Sequence, residues 1–373
     1  MGPIYNLQNL VYTTTLKIGG QDFHLVLDTG SADTWVASDP FQCRDRKRDP
    51  VEKEKCRLGK HYKKSDTWRG LKDQMLRTMY ADGEMLEGEI GREIIEMGGL
   101  RANATVGLVH DANWNGDGQS SGLIGMAFPS ITRSWKGKLL SRYEPIFFEL
   151  VRQTNTKPVF AVALNRHDEK AGAISIGGVP EGNVVKYKNE WAKAPMQKLA
   201  MWSLTGKKDP VYTMYIAEAE SITIGNDKTN SPFKFVVDTG TTMSFVPKAL
   251  MDKIAKAWDP PLNPAYHLNG MWLTRCDSRP PKVGLTFGGK KIVIDPQDLL
   301  LQQGPKNNPE KGTWCTVGVS ESKGLVGGDM HMMGGTFMKS MVAVFDIGAA
   351  EIRFAERLRD AKKEGKKGVS FAA

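Results

Sequence analysis

The nonapeptide FHLVLDTGS occupies residues 23–31, and 210 residues later a second version of it, FKFVVDTGT, occupies residues 233–241. Each copy is an apolar run rich in branched side chains that ends in Asp-Thr-Gly, a pattern typical of a buried strand entering a tight turn. Each turn exposes one carboxylate, Asp28 in the first copy and Asp238 in the second. The glycine lets the backbone turn tightly and allows another group to approach closely.

A second element repeats at nearly the same distance from each aspartate. The sequence GLIG at 122–125 ends 97 residues after Asp28, and MMGG at 332–335 has its first glycine 96 residues after Asp238. Two features at matching separations indicate an internal duplication, so we predict two similar lobes. A chain of 373 residues also exceeds one ordinary core. We place the N-terminal lobe at 5–182, the C-terminal lobe at 183–356 and a basic, flexible tail at 357–373.

The remaining pattern predicts mainly strands. Short apolar runs lie between turn-forming residues, whereas helical patterns that begin with a proline occur twice. We therefore predict a mainly β fold. The predicted strands include 161–164, 173–176, 221–224 and 291–294, and the predicted helices are 145–151 and 247–254.

Two aspartates on facing turns can carry out acid–base chemistry together. If their carboxyls lie within about 3 Å of each other, both cannot ionise easily, so they share a proton and titrate as a pair. One then acts as a base and the other as an acid at the same pH. The base takes a proton from a water held between them, and the acid protonates the carbonyl under attack. This chemistry needs no metal and no covalent intermediate, so we expect no cofactor.

The chain resembles the pepsin-like family of aspartic peptidases. The motifs that carry the resemblance are DTGS at 28–31 with TWV at 34–36, DTGTT at 238–242, and the two apolar-apolar-Gly elements. The similarity runs from about residue 12 to residue 354. It implies the bilobal pepsin-like fold, in which two β-barrel-like lobes flank a cleft. It also implies an aspartic endopeptidase that hydrolyses peptide bonds, with a preference for hydrophobic residues around the bond that is cut.

The resemblance assigns roles to further residues. Tyr80 matches the tyrosine of the β-hairpin flap, Asp82 and Gly83 lie in the turn that follows it, and Trp35 matches the tryptophan that supports the tyrosine. Other positions match groups that hold the two turns and their carboxylates or that line the cleft. The first group is Thr29, Gly30, Ser31, Thr239, Gly240 and Thr241, and the substrate-binding group is Val26, Leu123 and Thr242.

Four cysteines allow three disulfide pairings. The resemblance implies Cys43–Cys56 and Cys276–Cys315, and two disulfides would require an oxidising compartment; four free thiols in a cytosolic protein are the alternative. Asn103, in an Asn-Ala-Thr triplet, is a candidate for glycosylation. We expect a secreted protein or one in a vacuolar or endosomal lumen. The family is made as a zymogen, and neither a signal peptide nor a propeptide is visible in this chain.

Composition narrows the partners. The net charge of +9 is concentrated in the loop 43–48 and in the tail, where solvated charge is the simpler explanation than nucleic-acid binding. No apolar run is long enough to cross a bilayer, and the cysteines and histidines lack zinc-like spacing. We therefore expect a monomer that binds peptides or unfolded proteins and pepstatin-type inhibitors, without a nucleic acid, a membrane or a metal.

Three positions depart from the family pattern. Ala81 follows the flap tyrosine where glycine is usual, Gly335 stands where aspartate is usual, and the loop between Cys43 and Cys56 is long and highly charged. These departures leave two alternatives open. One is a pepsin-fold enzyme that acts on a small molecule without proteolysis. The other is a non-catalytic binding protein, although such relatives usually lack a dyad aspartate or the flap tyrosine.

Overall fold

The computed structural model describes residues 1–169, 172–202, 208–268, 271–301, 314–322 and 330–359. Strands make up most of it, as the alternation of short apolar runs and turn residues predicts. The mainly β fold class is therefore confirmed. Residues 360–373, which form most of the predicted tail, lie outside the described residues.

The strands of the first half of the chain include the longest ones, which follow the first Asp-Thr-Gly turn. They are β1 (Gly2–Leu7), β2 (Val11–Ile18), β3 (Gln21–Asp28), β4 (Trp35–Arg44), β5 (Pro50–Val51), β6 (Arg69–Met79), β7 (Met85–Met97), β8 (Leu100–Asn113), β9 (Gly122–Gly125), β10 (Ser134–Lys136), β11 (Leu139–Leu140), β12 (Val159–Ala163) and β13 (Gly172–Ile176).

The strands of the second half are shorter, and they form several smaller sheets. They are β14 (Ala192–Pro195), β15 (Leu199–Trp202), β16 (Lys208–Val211), β17 (Ile216–Ala219), β18 (Ser221–Ile224), β19 (Asp227–Thr229), β20 (Phe233–Val237), β21 (Ser244–Val246), β22 (His267–Leu268), β23 (Met271–Arg275), β24 (Val283–Phe287), β25 (Lys290–Ile294), β26 (Leu300–Leu301), β27 (Trp314–Val317), β28 (Val319–Glu321), β29 (Met330–Met333), β30 (Met341–Asp346) and β31 (Glu351–Glu356).

Helices are short and few among the described residues. They are α1 (Ile146–Gln153), α2 (Lys248–Ala257) and α3 (Gly335–Met338), with 3-10 helices at Lys53–Cys56, Pro129–Ile131 and Pro296–Leu299. The prolines predicted at the first helical positions of α1 and α2 instead precede them, because Pro145 and Pro247 are the N-cap residues. No helix in the described part of the chain is long and apolar enough to cross a membrane.

Strands from both halves share the largest sheet in the described residues. Its order is β11-β10-β6-β7-β8-β4-β9-β3-β2-β1-β13-β12-β30-β31-β14, with β5 paired to β4. The two halves meet where β12 pairs antiparallel with β30, from Val159 opposite Asp346 to Ala163 opposite Val342. The lobes at 5–182 and 183–356 therefore join through a common sheet, and their boundaries stay a proposal.

The predicted duplication is visible in strand pairing. In the first half, β3 pairs in parallel with β9, so that Asp28 lies opposite Gly125. In the second half, β20 pairs in parallel with β29, and Val237 lies opposite Met333. Asp238 follows immediately after this last pair, so both aspartates stand at the ends of equivalent parallel strand pairs.

Aromatic side chains from both halves fill the core where the halves meet. Phe160 of β12 stacks on Phe345 of β30 with ring centroids 4.5 Å apart, and Tyr215 contacts Phe345 at 4.6 Å. The Tyr215 hydroxyl donates a hydrogen bond of 2.7 Å to the carbonyl oxygen of Met126. Burial of these large rings stabilises the junction.

A buried cluster of charges lies at the 3-10 helix Pro296–Leu299, where the Asp298 side chain is 0% exposed. Its carboxylate accepts hydrogen bonds from Arg166 Nε and from Ser340 Oγ, each 2.7 Å long. The Lys339 ammonium and an Arg359 nitrogen lie 3.7 and 3.6 Å from the same carboxylate. Burial opposes ionisation, but the Lys339 and Arg166 cations outweigh it and hold the pKa of Asp298 below its usual value.

Candidate active site

Two threonines cross-link the Asp-Thr-Gly turns. Thr29 Oγ1 donates to the Val237 carbonyl at 2.7 Å, and Thr239 Oγ1 donates to the Leu27 carbonyl at 2.6 Å. Each hydroxyl also accepts the backbone N–H of the other threonine, at 3.0 and 3.1 Å. Both threonines are buried, so these four bonds form a rigid, symmetric link between the two halves.

Each aspartate is held by its own turn in the same manner. The N–H of the glycine two residues on donates to one carboxyl oxygen, at 2.7 Å for Asp28 and 2.8 Å for Asp238. The hydroxyl three residues on donates to the other oxygen, at 2.5 Å in both turns. The donors are Gly30 and Ser31 for Asp28, and Gly240 and Thr241 for Asp238.

The glycines of the two turns leave room for the carboxyl of the opposite turn. A Cβ atom on Gly30 would lie 2.6 Å from Asp238 Cγ, and one on Gly240 would lie 2.5 Å from Asp28 Oδ1. Real Cβ atoms do not approach other atoms so closely, so any larger residue would displace a carboxyl. The glycines thus allow the two carboxyls to meet across the pseudo-twofold axis.

The two carboxyls are shielded from water, with Asp28 7% and Asp238 5% exposed. Burial and the neighbouring Asp238 raise the pKa of Asp28 well above its usual value, although hydrogen bonds from Ser31 and Gly30 oppose the rise. The pair can therefore retain a proton under conditions where a solvated aspartate has lost it. Such a pair can supply one acid and one base to a bound substrate.

Tyr80 lies in the turn of the hairpin that β6 and β7 form. Its N–H donates to the Glu84 carbonyl at 2.8 Å, and the Gly83 N–H donates back to the Tyr80 carbonyl at 3.1 Å. Gly83 has φ +90°, a conformation that favours glycine. The Tyr80 hydroxyl accepts a hydrogen bond of 2.9 Å from Trp35 Nε1, so the structure brings together the two aromatic residues that the sequence paired.

Trp114 is a neighbour of the site that sequence reasoning missed. Its ring contacts Trp35 and Tyr80 edge-on, with centroids 5.0 and 5.6 Å away. Leu123 and Val26 belong to the same apolar cluster. A single tryptophan flanked by asparagines carries no motif, so only the fold identifies it.

Thr242, which the sequence grouped with the substrate-binding residues, makes a contact with the N-terminal segment. Its hydroxyl donates a hydrogen bond of 2.6 Å to the carbonyl of Leu10. Asn103, the glycosylation candidate, is exposed on β8. The disulfides join Cys43 to Cys56 and Cys276 to Cys315. In the part of the chain that the structure describes, no group of three His, Cys, Asp or Glu side chains is placed to hold a metal ion.

The unusual residues Ala81 and Gly335 fit their surroundings. Ala81 is exposed and avoids the left-handed backbone region, so the turn does not need glycine there. A Cβ on Gly335 would lie 2.9 Å from Cε2 of the Tyr12 ring. The Tyr12 ring thus fills the space into which a side chain at position 335 would extend.

Asp33 is a second buried carboxylate beside the site, and the sequence gave it no role. It is 3% exposed and accepts hydrogen bonds from the Tyr143 hydroxyl at 2.6 Å and from the Arg133 N–H at 2.8 Å. Burial raises its pKa to about 6 although both bonds oppose the rise. Its position inside the first motif is the one signal that could have drawn attention to it.

We expect Asp33 to make the folded protein less stable as pH rises from 4 to 7. A folded-state pKa above the unfolded one contributes stability that is complete below about pH 3.8 and is lost as pH rises through about 6. The shift corresponds to a loss of up to about 3 kcal/mol. The test is the melting temperature of wild type and Asp33→Asn from pH 4 to 7, with exposed Asp66→Asn as the control. A pH dependence in Asp33→Asn equal to that of wild type would contradict this account.

Comparison with known proteins places the whole chain beside one family. A family model described as eukaryotic aspartyl protease matches residues 11–357. A probable aspartic-type endopeptidase of Aspergillus fumigatus is 32% identical over 355 residues, which cover 92% of this chain and 78% of that protein. An acid protease of Saccharomycopsis fibuligera is 26% identical over 92% of this chain and 80% of its own length. Aspergillopepsin-1 of Aspergillus flavus is 24% identical over 93% of this chain and 77% of its own.

Proposed function

Because the chain belongs to the eukaryotic aspartyl protease family, we propose that Asp28 and Asp238 hydrolyse peptide bonds with a water molecule bound between them. The protein is an aspartic-type endopeptidase, like its named relatives. The observation that carries the proposed mechanism is the pair of carboxyls, each fixed by a glycine N–H and a hydroxyl on turns that two threonines cross-link. Such fixed groups need no reorganisation when charge develops in the transition state.

The reaction begins with one carboxyl of the pair ionised and the other protonated. The ionised carboxylate takes a proton from the water, whose oxygen attacks the peptide carbonyl carbon, while the protonated carboxyl donates to the carbonyl oxygen. Collapse of the tetrahedral intermediate breaks the carbon–nitrogen bond, and a proton passes to the leaving amine. The raised pKa of Asp28, caused by burial and by Asp238, supports the presence of the shared proton.

We propose that the substrate is an extended peptide with hydrophobic side chains next to the cleaved bond. The apolar cluster around Tyr80 supports this preference, since it places Trp35, Trp114 and Leu123 beside the flap. An extended peptide exposes backbone groups that can pair with strand edges. Closure of the flap over the peptide would exclude water from the reaction.

The hydrogen bond between Trp35 and Tyr80 should contribute to cleavage by positioning the flap. Trp35→Phe and Tyr80→Phe each remove one partner, and we expect each to lower kcat/KM by roughly 2- to 10-fold, the value of one hydrogen bond. The measurement is a double-mutant cycle on one peptide. If both variants act through this bond, the double variant will lose little more than either single one. Fully additive losses would show that the two residues act independently.

Cleavage of denatured globin from pH 3 to 7, with and without pepstatin, tests the proposed function. We expect cleavage that pepstatin blocks, because a transition-state-like inhibitor binds the geometry that the carboxyls stabilise. Folded protein that cleaves nothing at any pH would overturn the proposal. A search for small-molecule reactions or for protein ligands of the cleft would then follow.

We propose that the protein works as a monomer in a secreted or vacuolar or endosomal setting. The two disulfides support an oxidising compartment. The exposed Asn103 is compatible with passage through the secretory route. Mass spectrometry of the natural protein will show whether Asn103 carries a glycan, and light scattering will give the oligomeric state.

A further inference from the structure

Positive charge is concentrated in one segment of the chain. Residues 44–64 contain ten lysines and arginines but only four carboxylates, whereas the whole chain has a net charge of +9. The disulfide between Cys43 and Cys56 closes the first part of this segment. The segment is therefore an ordered, strongly basic feature of the surface.

The tip of this segment is a turn with a defined conformation, which we call the basic turn (residues 45–49). Asp45 Oδ1 accepts the N–H of Lys47 at 2.8 Å and that of Asp49 at 2.9 Å. The Arg48 N–H donates to the Asp45 carbonyl, and the Asp45 N–H donates to the Asp49 carbonyl, both at 3.0 Å. Asp45 thus organises the backbone, so the side chains that follow it project from a fixed position.

The basic turn lies against the base of the flap. Arg48 Nη1 is 3.6 Å from Sδ of Met85, the first residue of β7 after the flap turn. Arg44 pairs with Asp111 at 2.5 Å, and its carbonyl accepts a hydrogen bond from Asn113 at 3.2 Å. The next residue along is Trp114, which contacts Tyr80. The basic turn therefore borders the same wall of the cleft as the flap tyrosine.

Two cations of the basic turn are not neutralised within the protein. Arg44 and Arg48 both lie within 4.0 Å of Asp111. Arg46 and Lys47 are exposed, and neither forms an ion pair with a carboxylate among the described residues. Two cations held side by side at the edge of a cleft attract a negative group that enters it.

We propose that Arg46 and Lys47 bind an acidic side chain of the peptide substrate, so that the enzyme prefers aspartate or glutamate at one position away from the cleaved bond. This inference rests on the proposed peptidase function. A substrate is favoured over an unrelated acidic partner because the basic turn contacts the flap and the segment that leads to Trp114. The preference adds to the hydrophobic preference next to the cleaved bond and does not replace it.

The experiment compares peptides that share one apolar pair at the cleaved bond and differ only by aspartate or asparagine at each other position in turn. At pH 5 and low salt the aspartate is ionised, and we expect wild type to cut one aspartate peptide about fivefold faster in kcat/KM than its asparagine partner. The preference should weaken in 0.5 M salt because salt screens exposed charges. Lys47→Glu should abolish or reverse it, and Arg46→Gln should reduce it.

Lys63→Glu is the matched control, because Lys63 is exposed, lies outside the disulfide loop and has no ion pair among the residues described. It should keep the wild-type preference. Equal rates for aspartate and asparagine at every position, or equal losses on both peptides in Lys47→Glu, would overturn the inference. Binding of a sulfated polysaccharide that depends on Lys47, without any peptide preference, would overturn it in favour of a polyanion partner. Failure to cut any peptide would refute the peptidase function itself, which separates the two proposals.

Discussion

Replacing Asp238 by asparagine is expected to lower kcat for peptide cleavage by roughly 100- to 10,000-fold, the usual contribution of a positioned acid or base. An amide of nearly the same shape can neither take a proton from water nor release one at these pH values. It also removes the charge that, together with burial, raises the pKa of Asp28. The measurement is single-turnover cleavage of one peptide across pH 3 to 7.

The loss must come from the chemistry and not from unfolding. Asp238→Asn keeps a carbonyl oxygen that can accept the Gly240 N–H, so we expect its circular dichroism spectrum and melting temperature to stay close to those of wild type. Asp227→Asn, an exposed aspartate of the same half, is the control and should cut normally. A folded Asp238→Asn protein with the wild-type rate would rule out the proposed mechanism.

Removing the Asp298 carboxylate should cause the largest loss of stability. Asp298→Ala leaves Arg166 and Lys339, which are mostly buried, without their central counter-charge. Deleting one partner of a buried ionic cluster costs about 3–5 kcal/mol, because the remaining charge is neither solvated nor paired. Chemical denaturation at pH 5 should therefore give a much lower midpoint for the variant.

Asp277→Asn provides a matched comparison for this stability prediction. Asp277 also pairs with an arginine, Arg275, at 3.0 Å, but its side chain is 70% exposed. Exposed pairs contribute at most about 1 kcal/mol, so this variant should unfold close to wild type. Equal midpoints for Asp298→Ala and Asp277→Asn would show that the buried cluster does not contribute as its geometry indicates.

The features that could be predicted from sequence are those set by short motifs and their spacing. The two Asp-Thr-Gly turns need only local strand and turn signals, and the repeat distance relates them across the chain. The parallel pairs of β3 with β9 and of β20 with β29 match that repeat. The contact between Trp35 and Tyr80 followed from family resemblance rather than from any local pattern.

The features that escaped prediction depend on contacts between distant parts of the chain. Tyr143 reaches Asp33 across 110 residues, and Trp114 meets Tyr80 from a loop with no periodic pattern. The pairing of β12 with β30 carries one sheet across both halves, which no single apolar run reveals. Local propensity also shifted the helix starts by one residue, since Pro145 and Pro247 precede their helices as caps.

The threonine cross-link has a consequence for how the protein is made. Thr29 is synthesised long before Thr239, with which it shares hydrogen bonds, and β12 must wait for β30 near the end of the chain. A growing polypeptide therefore carries Asp28 without the partner, the link or the sheet that would make it useful. The fold thus delays the appearance of a destructive activity until translation is nearly finished, and it protects the nascent chain and the ribosome from their own product.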